Sequence, residues 1–295
     1  MIVLTRQKII LALLEQAGHP INATTFVKMV FLLRQKTKIK EDRTFYDFLP
    51  YKHGPFSFSL YRELGTMRDQ GYVLRDEESI QLCSKTRALT RRAVDELPEA
   101  TISAVSSIVA RYGTMENRAL LKTVYTQYQW YASKSELKDL VSKPVEEDQP
   151  PEVAVYTVGY EGKSVDGFFD GLLRHGIQAI LDVRANPISR KYGFARKSLD
   201  DISTKLGLTY RNLPELGIAG EQRTELNTWA DYQILLDRYE REMLPKRKSA
   251  VERLVSLLFD RPSALLCMEK DVTCCHRGRL ANAAAAISGL PIRHL

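Results

Sequence analysis

The segment VAVYTVGYEGKSVDGFFDGLLRHGIQAILDV, residues 153–183, decides the fold of the C-terminal half of this chain. It begins with an apolar run, passes through a glycine-containing loop into a stretch with apolar residues at helical spacing, and ends in a second apolar run. A short uninterrupted apolar run is typical of a strand that is buried on both faces of a parallel sheet. The segment therefore predicts a strand, a helix and a second strand in succession.

The alternation of strands and helices continues to the C terminus. After the opening unit, the pattern predicts helices over 199–206, 229–244, 251–259 and 280–287, and strands over 208–213, 264–268 and 291–295. Repeated strand–helix units favour a mostly parallel sheet with helices on both faces. We therefore predict an α/β domain with a doubly wound sheet over 153–295.

The first half of the chain has mainly helical periodicity. Helices are predicted from Thr5 to Gly18, from Asn22 onward, and from Ser57 or Ser59 to Gly71, and a short hairpin follows over 72–82. Three helices and a hairpin in this order indicate a winged helix-turn-helix, in which the third helix enters the major groove of DNA. Residues 1–142 are thus predicted to be a mainly helical winged-helix domain.

A proline-rich and acidic segment separates the two halves. Residues 143–152 hold three prolines and four acidic residues, a composition that forms no regular element. We predict an extended linker here.

The excess of positive over negative charge lies entirely in the first half of the chain. Residues 1–145 contain 22 Lys and Arg against 15 Asp and Glu, whereas residues 146–295 contain 21 of each. This asymmetry favours contact with a polyanion, most simply DNA. The predicted contact residues, at or just before the third helix, are Lys52, His53, Ser57, Ser59 and Arg62. Because Asp76, Glu77 and Glu78 make the wing acidic, a role in protein interaction or homodimerisation is the alternative.

A short motif in this half resembles a known group of domains. The stretch from Pro50 to Ser57, continuing to Leu60 and Tyr61, is similar to a signature of Panacea-type antitoxin domains and related defence-associated winged helices. Tyr125, Tyr128 and Ser135 fit the same resemblance. Tyr125, Tyr128, Trp130 and Tyr131 are interpreted as helix packing, with a base-stacking platform as the alternative.

Composition and cysteine use indicate the compartment. No apolar run approaches the roughly 20 residues that a membrane helix needs, and the N terminus lacks the features of a secretory signal. Three of the four cysteines lie within nine residues, which does not resemble a disulfide framework. We expect a cytoplasmic protein without a membrane partner.

Polar residues follow each predicted strand of the second half. In parallel sheets, ligands bind outside the carboxyl ends of the strands. The residues expected to contact an anionic, nucleotide-like ligand there are Tyr160, Arg184, Asn186, Ser189, Arg190, Lys191 and Arg277. For Arg184, a purely structural pair with Asp182 is the alternative. Arg223, in a long loop, is a candidate lid contact, with a solvated turn as the alternative.

Four blocks of this half resemble the family known as domain of unknown function 488. They are residues 156–162, residues 182–190 with Phe194, residues 265–269, and Cys275-His276-Arg277. The resemblance spans about residues 153–295 and implies an α/β fold with a pocket at the sheet rim. It implies no particular substrate.

The candidate catalytic residues are Glu269, Asp182, His276 and Cys275. Glu269 follows a buried strand, where a carboxylate can act as a general acid or base, and a salt bridge to Arg277 or Arg184 is the alternative. Cys275 stands at a predicted helix N terminus, where a thiolate is stabilised. Cys267, Cys274, Cys275 and His276 are candidate metal ligands, but they lack a Cys-x-x-Cys pair, adjacent cysteines rarely reach one ion, and Cys267 is expected to point into the sheet. We therefore predict no metal and no cofactor.

These observations favour a nucleic-acid-binding hydrolase. The α/β domain would bind and hydrolyse a nucleotide unit, at the glycosidic bond of a modified base or at a phosphoester, in genome defence or repair. One alternative is a DNA-binding regulator that senses a nucleotide. Another is a rhodanese-like sulfur-handling enzyme that uses Cys275.

Overall fold

A computed structural model of the chain describes residues 4–76, 78–141, 152–223, 226 and 228–295. The chain divides into two compact units, Met1–Glu146 and Glu147–Leu295. Apart from Glu152, the predicted linker over 143–152 lies outside the described residues. Among the described residues, no helix is both long enough and apolar enough to cross a membrane.

The N-terminal unit is mainly helical, as predicted. Its helices and strands are α1 (Thr5–Ala17), β1 (Ile21–Asn22), α2 (Ala23–Lys36), β2 (Leu49–Tyr51), β3 (Gly54–Phe56), α3 (Phe58–Asp69), β4 (Val73–Arg75), β5 (Ser79–Leu82), α4 (Arg87–Asp95), α5 (Glu99–Tyr112), α6 (Asn117–Gln127) and α7 (Gln129–Ala132). The helix boundaries follow from local chemistry. Gly18 ends α1 with a φ of 71°, and the side chains of Asn22 and Ser57 accept backbone N–H groups at the starts of α2 and α3.

The first three helices and the following hairpin have the winged-helix order. Strand β1 pairs antiparallel with β5, and β5 pairs with β4, which gives a three-stranded sheet in the order β1-β5-β4. One large apolar cluster, with Phe26, Phe31 and Leu64 among its members, packs the helices against this sheet. The hairpin of β2 and β3, inserted between α2 and α3, is an addition that the sequence did not predict.

The C-terminal unit is an α/β domain with a five-stranded, all-parallel sheet. Its elements are β6 (Val155–Gly159), α8 (Val165–Arg174), β7 (Ala179–Asp182), α9 (Arg196–Leu206), β8 (Thr209–Asn212), α10 (Trp229–Arg238), α11 (Lys248–Asp260), β9 (Ser263–Cys267), α12 (His276–Ser288) and β10 (Ile292–His294). The sheet order is β10-β6-β9-β7-β8, and every pairing is parallel. The predicted fold class is confirmed.

The strand order places a crevice at the carboxyl ends of β6 and β9. From β6 the chain crosses β9 to reach β7, whereas from β9 it crosses β6 to reach β10. The two neighbouring strands thus lead away in opposite directions, which defines a topological switch point, the usual place for a ligand in an open α/β sheet. All residues of β6 and β9 are buried, so both faces of the sheet are covered here.

Candidate functional site

The loops after β6 and β9 approach each other closely at the switch point. A Cβ atom added at Gly159 would lie 1.9 Å from the carbonyl oxygen of Glu269, so only glycine fits there. The N–H of Glu161 donates to the carbonyl of Met268 at 2.9 Å. The buried Arg277 donates to the carbonyls of Glu269 (2.5 Å) and Lys270 (3.0 Å). These contacts fix the backbone that carries Glu269.

Four side chains meet just beyond β9, and we call Cys267, Glu269, Cys275 and His276 the thiol cluster. The Sγ atoms of Cys267 and Cys275 lie 3.1 and 2.9 Å from the same oxygen, Oε2 of Glu269. Nδ1 of His276 lies 3.7 Å from Sγ of Cys267. Both thiols and the imidazole are only 1% exposed, whereas the Glu269 side chain is 20% exposed. The cluster is therefore a buried centre that reaches solvent through its carboxylate.

The orientation of the His276 ring is set by the backbone. Nε2 lies 3.0 Å from the carbonyl oxygen of Val183, an acceptor only, so this nitrogen carries the proton. Nδ1 is then left to face Cys267 and Arg223. Burial acts to lower the pKa of His276, but the neighbouring Cys267 and the Val183 carbonyl outweigh it, so this pKa is raised.

The pKa values of the two buried thiols are shifted in opposite directions. The hydrogen bond of Cys275 and the proximity of His276 hold the pKa of Cys267 well below its usual range, despite burial. Burial, together with the charge of Cys267, raises the pKa of Cys275. Anionic sulfur is therefore favoured at Cys267, whereas the sulfur-handling alternative expected it at Cys275.

Arg223 covers the exposed side of the thiol cluster. Its Nη1 lies 3.3 Å from Oε1 of Glu269, and its Nη2 lies 3.3 Å from Nδ1 of His276. Glu269 therefore forms a salt bridge, as one of the two sequence interpretations predicted. Its partner is Arg223, however, and not Arg277 or Arg184. The side chain of Arg223 thus contacts the site, whereas the alternative for this residue placed it in a solvated turn.

A cleft of about 340 Å³ opens beside the cluster. Its lining includes Cys275, Gly278 and Arg279 at the start of α12, together with Trp229 and Gln233 of α10. Trp229 is 66% exposed, which is unusual for so large an apolar ring. The cleft therefore presents an aromatic face beside the buried thiol cluster, and the guanidinium of Arg279 is paired with Asp237 and Glu240.

Asp182 and Arg184 form a second, separate group. Both carboxylate oxygens of the buried Asp182 accept from Arg184, at 2.8 Å from Nε and 2.5 Å from Nη2, and Tyr210 donates to Asp182 at 2.7 Å. The remaining guanidinium nitrogen of Arg184 contacts the Phe194 carbonyl (3.0 Å) and the Tyr160 hydroxyl (3.4 Å). Burial by itself lowers the pKa of Arg184, but Asp182 more than offsets this effect and raises it.

The side chains of this second group are buried and packed against one another. Arg184 is only 6% exposed, and the ring of Tyr160 stacks on Phe194 with 4.4 Å between centroids. Arg184 thus forms the buried pair with Asp182 that was the alternative for this residue, and the Tyr160 hydroxyl lies beside its guanidinium. Arg277 is also buried, with both of its terminal nitrogens on backbone carbonyls. We therefore assign phosphate contact to none of these three residues.

The loop after β7 carries the remaining predicted ligand residues. Asn186, Arg190 and Lys191 are exposed there, and Ser189 is half-buried. The Ser189 hydroxyl accepts from the Lys191 N–H (3.1 Å), and the Lys191 ammonium donates to the Tyr160 carbonyl (3.2 Å), next to the end of β6. Arg190 and Lys191 are therefore the exposed cations among these four residues.

The predicted nucleic-acid residues divide into exposed and buried ones. Lys52 and His53 form the exposed turn between β2 and β3, and Lys52 pairs with Glu136 at 3.2 Å. Ser57 is fully buried, and its hydroxyl accepts the Leu60 N–H as the α3 cap. On α3, Arg62 is exposed and Ser59 is half-buried. Lys52, His53 and Arg62 thus remain the candidates for phosphate contact.

The segment around Pro50 packs against the later part of the unit that contains Tyr125 and Ser135. Gly54 approaches Tyr125, since an added Cβ would lie 2.5 Å from its ring, and the Tyr125 hydroxyl lies 2.8 Å from Oγ of Ser135. The carbonyl of Lys52 accepts from the N–H of Glu136 at 2.7 Å. Tyr128 and Tyr131 pack edge-on against Phe31, in agreement with the helix-packing interpretation.

Two contributors to the site were not predicted from the sequence. Cys267 was expected to point into the sheet, but its side chain meets Glu269 and His276 at the end of β9. The exposed aromatic residue at the cleft, Trp229, enters the sequence prediction only as the first residue of the helix over 229–244. The signal for Cys267 is its position two residues before Glu269, since i and i+2 share a side of an extended chain.

The fold and the site define an α/β domain with a buried thiol, imidazole and carboxylate centre at its topological switch point. Residues 164–284 match the family model described as "Domain of unknown function DUF488", in agreement with the resemblance stated from the sequence. A comparison with curated proteins found no match.

Proposed function

We propose that this protein binds nucleic acid and that its C-terminal domain hydrolyses a nucleotide unit at the thiol cluster, with Glu269 as the general acid and base. The observation that carries the proposal is the position of Glu269. Its carboxylate lies at the switch point, is partly exposed, and is held between two thiols and Arg223. A carboxylate fixed at the mouth of a buried centre is suited to proton transfer.

The surroundings of Glu269 favour a nucleotide as the ligand. Trp229 offers an exposed face on which a base can stack, at the cleft that Cys275 also lines. Arg190 and Lys191 offer exposed cations for a phosphate. Arg190 and Lys191 were already among the residues predicted to contact the anion, whereas the buried Arg184 and Arg277 are left out of the proposal.

The reaction we propose is attack of water on a glycosidic carbon or on a phosphorus atom. Glu269 accepts a proton from the water as its oxygen forms the new bond. The bond to the departing base or alkoxide breaks with its electron pair, and that group leaves with the proton from Glu269. Asp182 takes no part, because its carboxylate is buried and bonded to Arg184 and Tyr210.

Nucleic-acid contact is proposed for the N-terminal unit. The charge excess of the chain lies in this half, and the order of its helices and hairpin is that of a winged helix. Asp76 and Glu78 are exposed in the wing, so we assign contact to Arg62 on α3 and to the turn at Lys52 and His53. Such binding weakens steeply as salt is raised.

The sulfur-handling alternative is not retained. It needs a Cys275 thiolate that a sulfur donor can reach. Cys275 is 1% exposed, and burial raises its pKa. Both properties oppose nucleophilic attack by this sulfur.

The test compares the parent protein with Glu269→Gln. The probes are fluorescein-labelled DNA duplexes and RNA strands, unmodified or carrying deaminated or alkylated bases. Base release is measured by chromatography, backbone cleavage on gels, and binding by fluorescence anisotropy. We expect Glu269→Gln to lower turnover by about 10²- to 10⁴-fold with unchanged DNA affinity. The control is Glu252→Gln, a carboxylate of α11 that pairs with Lys248 at the surface and should change neither value.

Two results would overturn the proposal. Turnover that survives Glu269→Gln would remove Glu269 from the chemistry. Tight, sequence-selective binding to a symmetric duplex site, without turnover of any probe, would instead favour the regulator.

A further inference from the structure

We infer that Cys267, Cys275 and His276 bind a Zn²⁺ ion, with Glu269 facing the fourth coordination position. The ligand atoms of the two cysteines and the histidine all lie within 4.8 Å of one another. Zn–S and Zn–N bonds of about 2.3 and 2.0 Å place the ligands of a tetrahedral ion about 3.3–3.8 Å apart. The 3.7 Å between Nδ1 of His276 and Sγ of Cys267 already falls in this range.

The second nitrogen of His276 has the partner that a metal-bound histidine needs. A histidine ligand usually donates its other N–H to a carbonyl or a carboxylate, which fixes the ring and directs the free nitrogen to the metal. Nε2 of His276 contacts the Val183 carbonyl at 3.0 Å, and the ring packs edge-on against Tyr239. The ring is thus held with Nδ1 toward the sulfur atoms.

The three ligands are held by rigid elements. Cys267 is the last residue of β9, and His276 is the first residue of α12. Cys275 is the N-cap that directly precedes the first turn of α12, and its Sγ lies within 4.8 Å of the ligand atoms of Cys267 and His276. Cys274 is half-exposed and is not among the grouped ligands. The objection that adjacent cysteines rarely share an ion therefore does not apply.

The charges balance when the ion is bound. Two thiolates neutralise Zn²⁺, and Arg223 neutralises Glu269, so the buried centre carries no net charge. Arg223 gives up its contact with Nδ1 of His276 when the metal takes that lone pair, and it retains Glu269. Two sulfur ligands and an imidazole select Zn²⁺ over Mg²⁺ and Ca²⁺, which prefer oxygen.

Three protein ligands and an open fourth position are typical of catalytic rather than structural zinc. Glu269 Oε2, close to both sulfur atoms, is placed to hold a water molecule at that position. The ion would make this water acidic and so supply the nucleophile for hydrolysis. This role of the ion rests on the proposed function, whereas its binding does not.

The test measures metal content and needs no substrate. The parent protein is purified without chelator and analysed by plasma mass spectrometry, beside Cys267→Ser, Cys275→Ser and the matched control Cys274→Ser. We expect about one Zn²⁺ per chain in the parent and in Cys274→Ser, and at least a tenfold lower content in the other two variants. Circular dichroism checks that each variant is folded.

A second measurement uses the parent protein alone. After removal of the metal, titration with Co²⁺ should give a thiolate-to-metal absorption band with the intensity of two bound sulfurs. A parent that holds no zinc and gives no such band, or a Cys274→Ser variant that loses zinc as Cys275→Ser does, would overturn the site. Zinc in a protein that hydrolyses no probe contradicts the proposed function alone, and turnover by a protein without metal contradicts the zinc site alone.

Discussion

Replacement of Arg184 by methionine separates a structural role for this residue from a role in ligand binding. In the parent, Asp182 is completely buried and accepts two side-chain N–H groups from Arg184. Arg184→Met removes these donors and leaves only the Tyr210 hydroxyl and the backbone N–H of residue 184. The loss of one partner from a buried ion pair costs about 3–5 kcal/mol, because the remaining charge is unpaired.

The two retained hydrogen bonds place the expected loss at the lower end of that range. A loss of about 3 kcal/mol lowers the Tm of a domain of this size by about 6–12 °C. The Asp182→Asn/Arg184→Met double variant should recover part of the loss, since no unpaired charge remains. Thermal and urea unfolding, followed by circular dichroism, measure both effects.

The matched control is Arg190→Met, in the exposed loop that follows the same strand. We expect this variant to unfold like the parent, within about 0.5 kcal/mol, and to bind DNA more weakly. If Arg184→Met instead kept the stability of the parent and lost DNA or nucleotide binding, Arg184 would be a ligand contact and the division of roles proposed above would be refuted.

Three further predictions concern other parts of the chain. Gly159→Ala should destabilise the C-terminal unit by about 1–3 kcal/mol, because the added Cβ meets the carbonyl of Glu269, whereas Gly171→Ala, with open space in α8, should be neutral or stabilising in the same unfolding assay. Burial lowers the pKa of Lys28 to about 7, so the unfolded chain binds more protons between that pH and about 10.5. Stability should therefore rise with pH across this window, and Lys28→Met should remove that part of the rise in urea titrations at several pH values. Trp229→Ala should weaken nucleotide binding by about 5- to 150-fold in calorimetry without a change in Tm.

Much of the C-terminal fold could be predicted because its strands are short apolar runs separated by amphipathic helices. The predicted strand over 264–268 and β9 differ by one residue at each end, and the helix predicted within residues 153–183 is α8. The predicted helix over 229–244 is less regular, since a π-helical turn over Tyr239–Met243 follows α10. Periodicity alone does not distinguish these two helical forms.

The hairpin of β2 and β3 was missed for a different reason. Pro50 and Pro55 lie within its two short strands, and proline normally argues against a strand. The hairpin is held by tertiary contacts from Tyr125 and Ser135, which lie about seventy to eighty residues away in the sequence. Local propensity carries no information about such partners.

The candidate site was predicted in position and only partly in composition. The polar residues after β6, β7 and β9 do lie at one end of the sheet, which the order of strands requires. The sequence did not show that Arg184 and Arg277 are buried, since an arginine after a strand points equally well to solvent. Nor did it place Arg223 on Glu269, because the loop before α10 has no periodic pattern to fix it.

The measurement that tests the central claim most directly is a crystal structure of the protein soaked with a deoxynucleoside monophosphate. The proposed function predicts a base stacked on Trp229, a phosphate near Arg190 and Lys191, and the sugar within hydrogen-bonding distance of Glu269. A nucleotide bound instead at Asp182 and Arg184, or one with no contact to the thiol cluster at all, would contradict it.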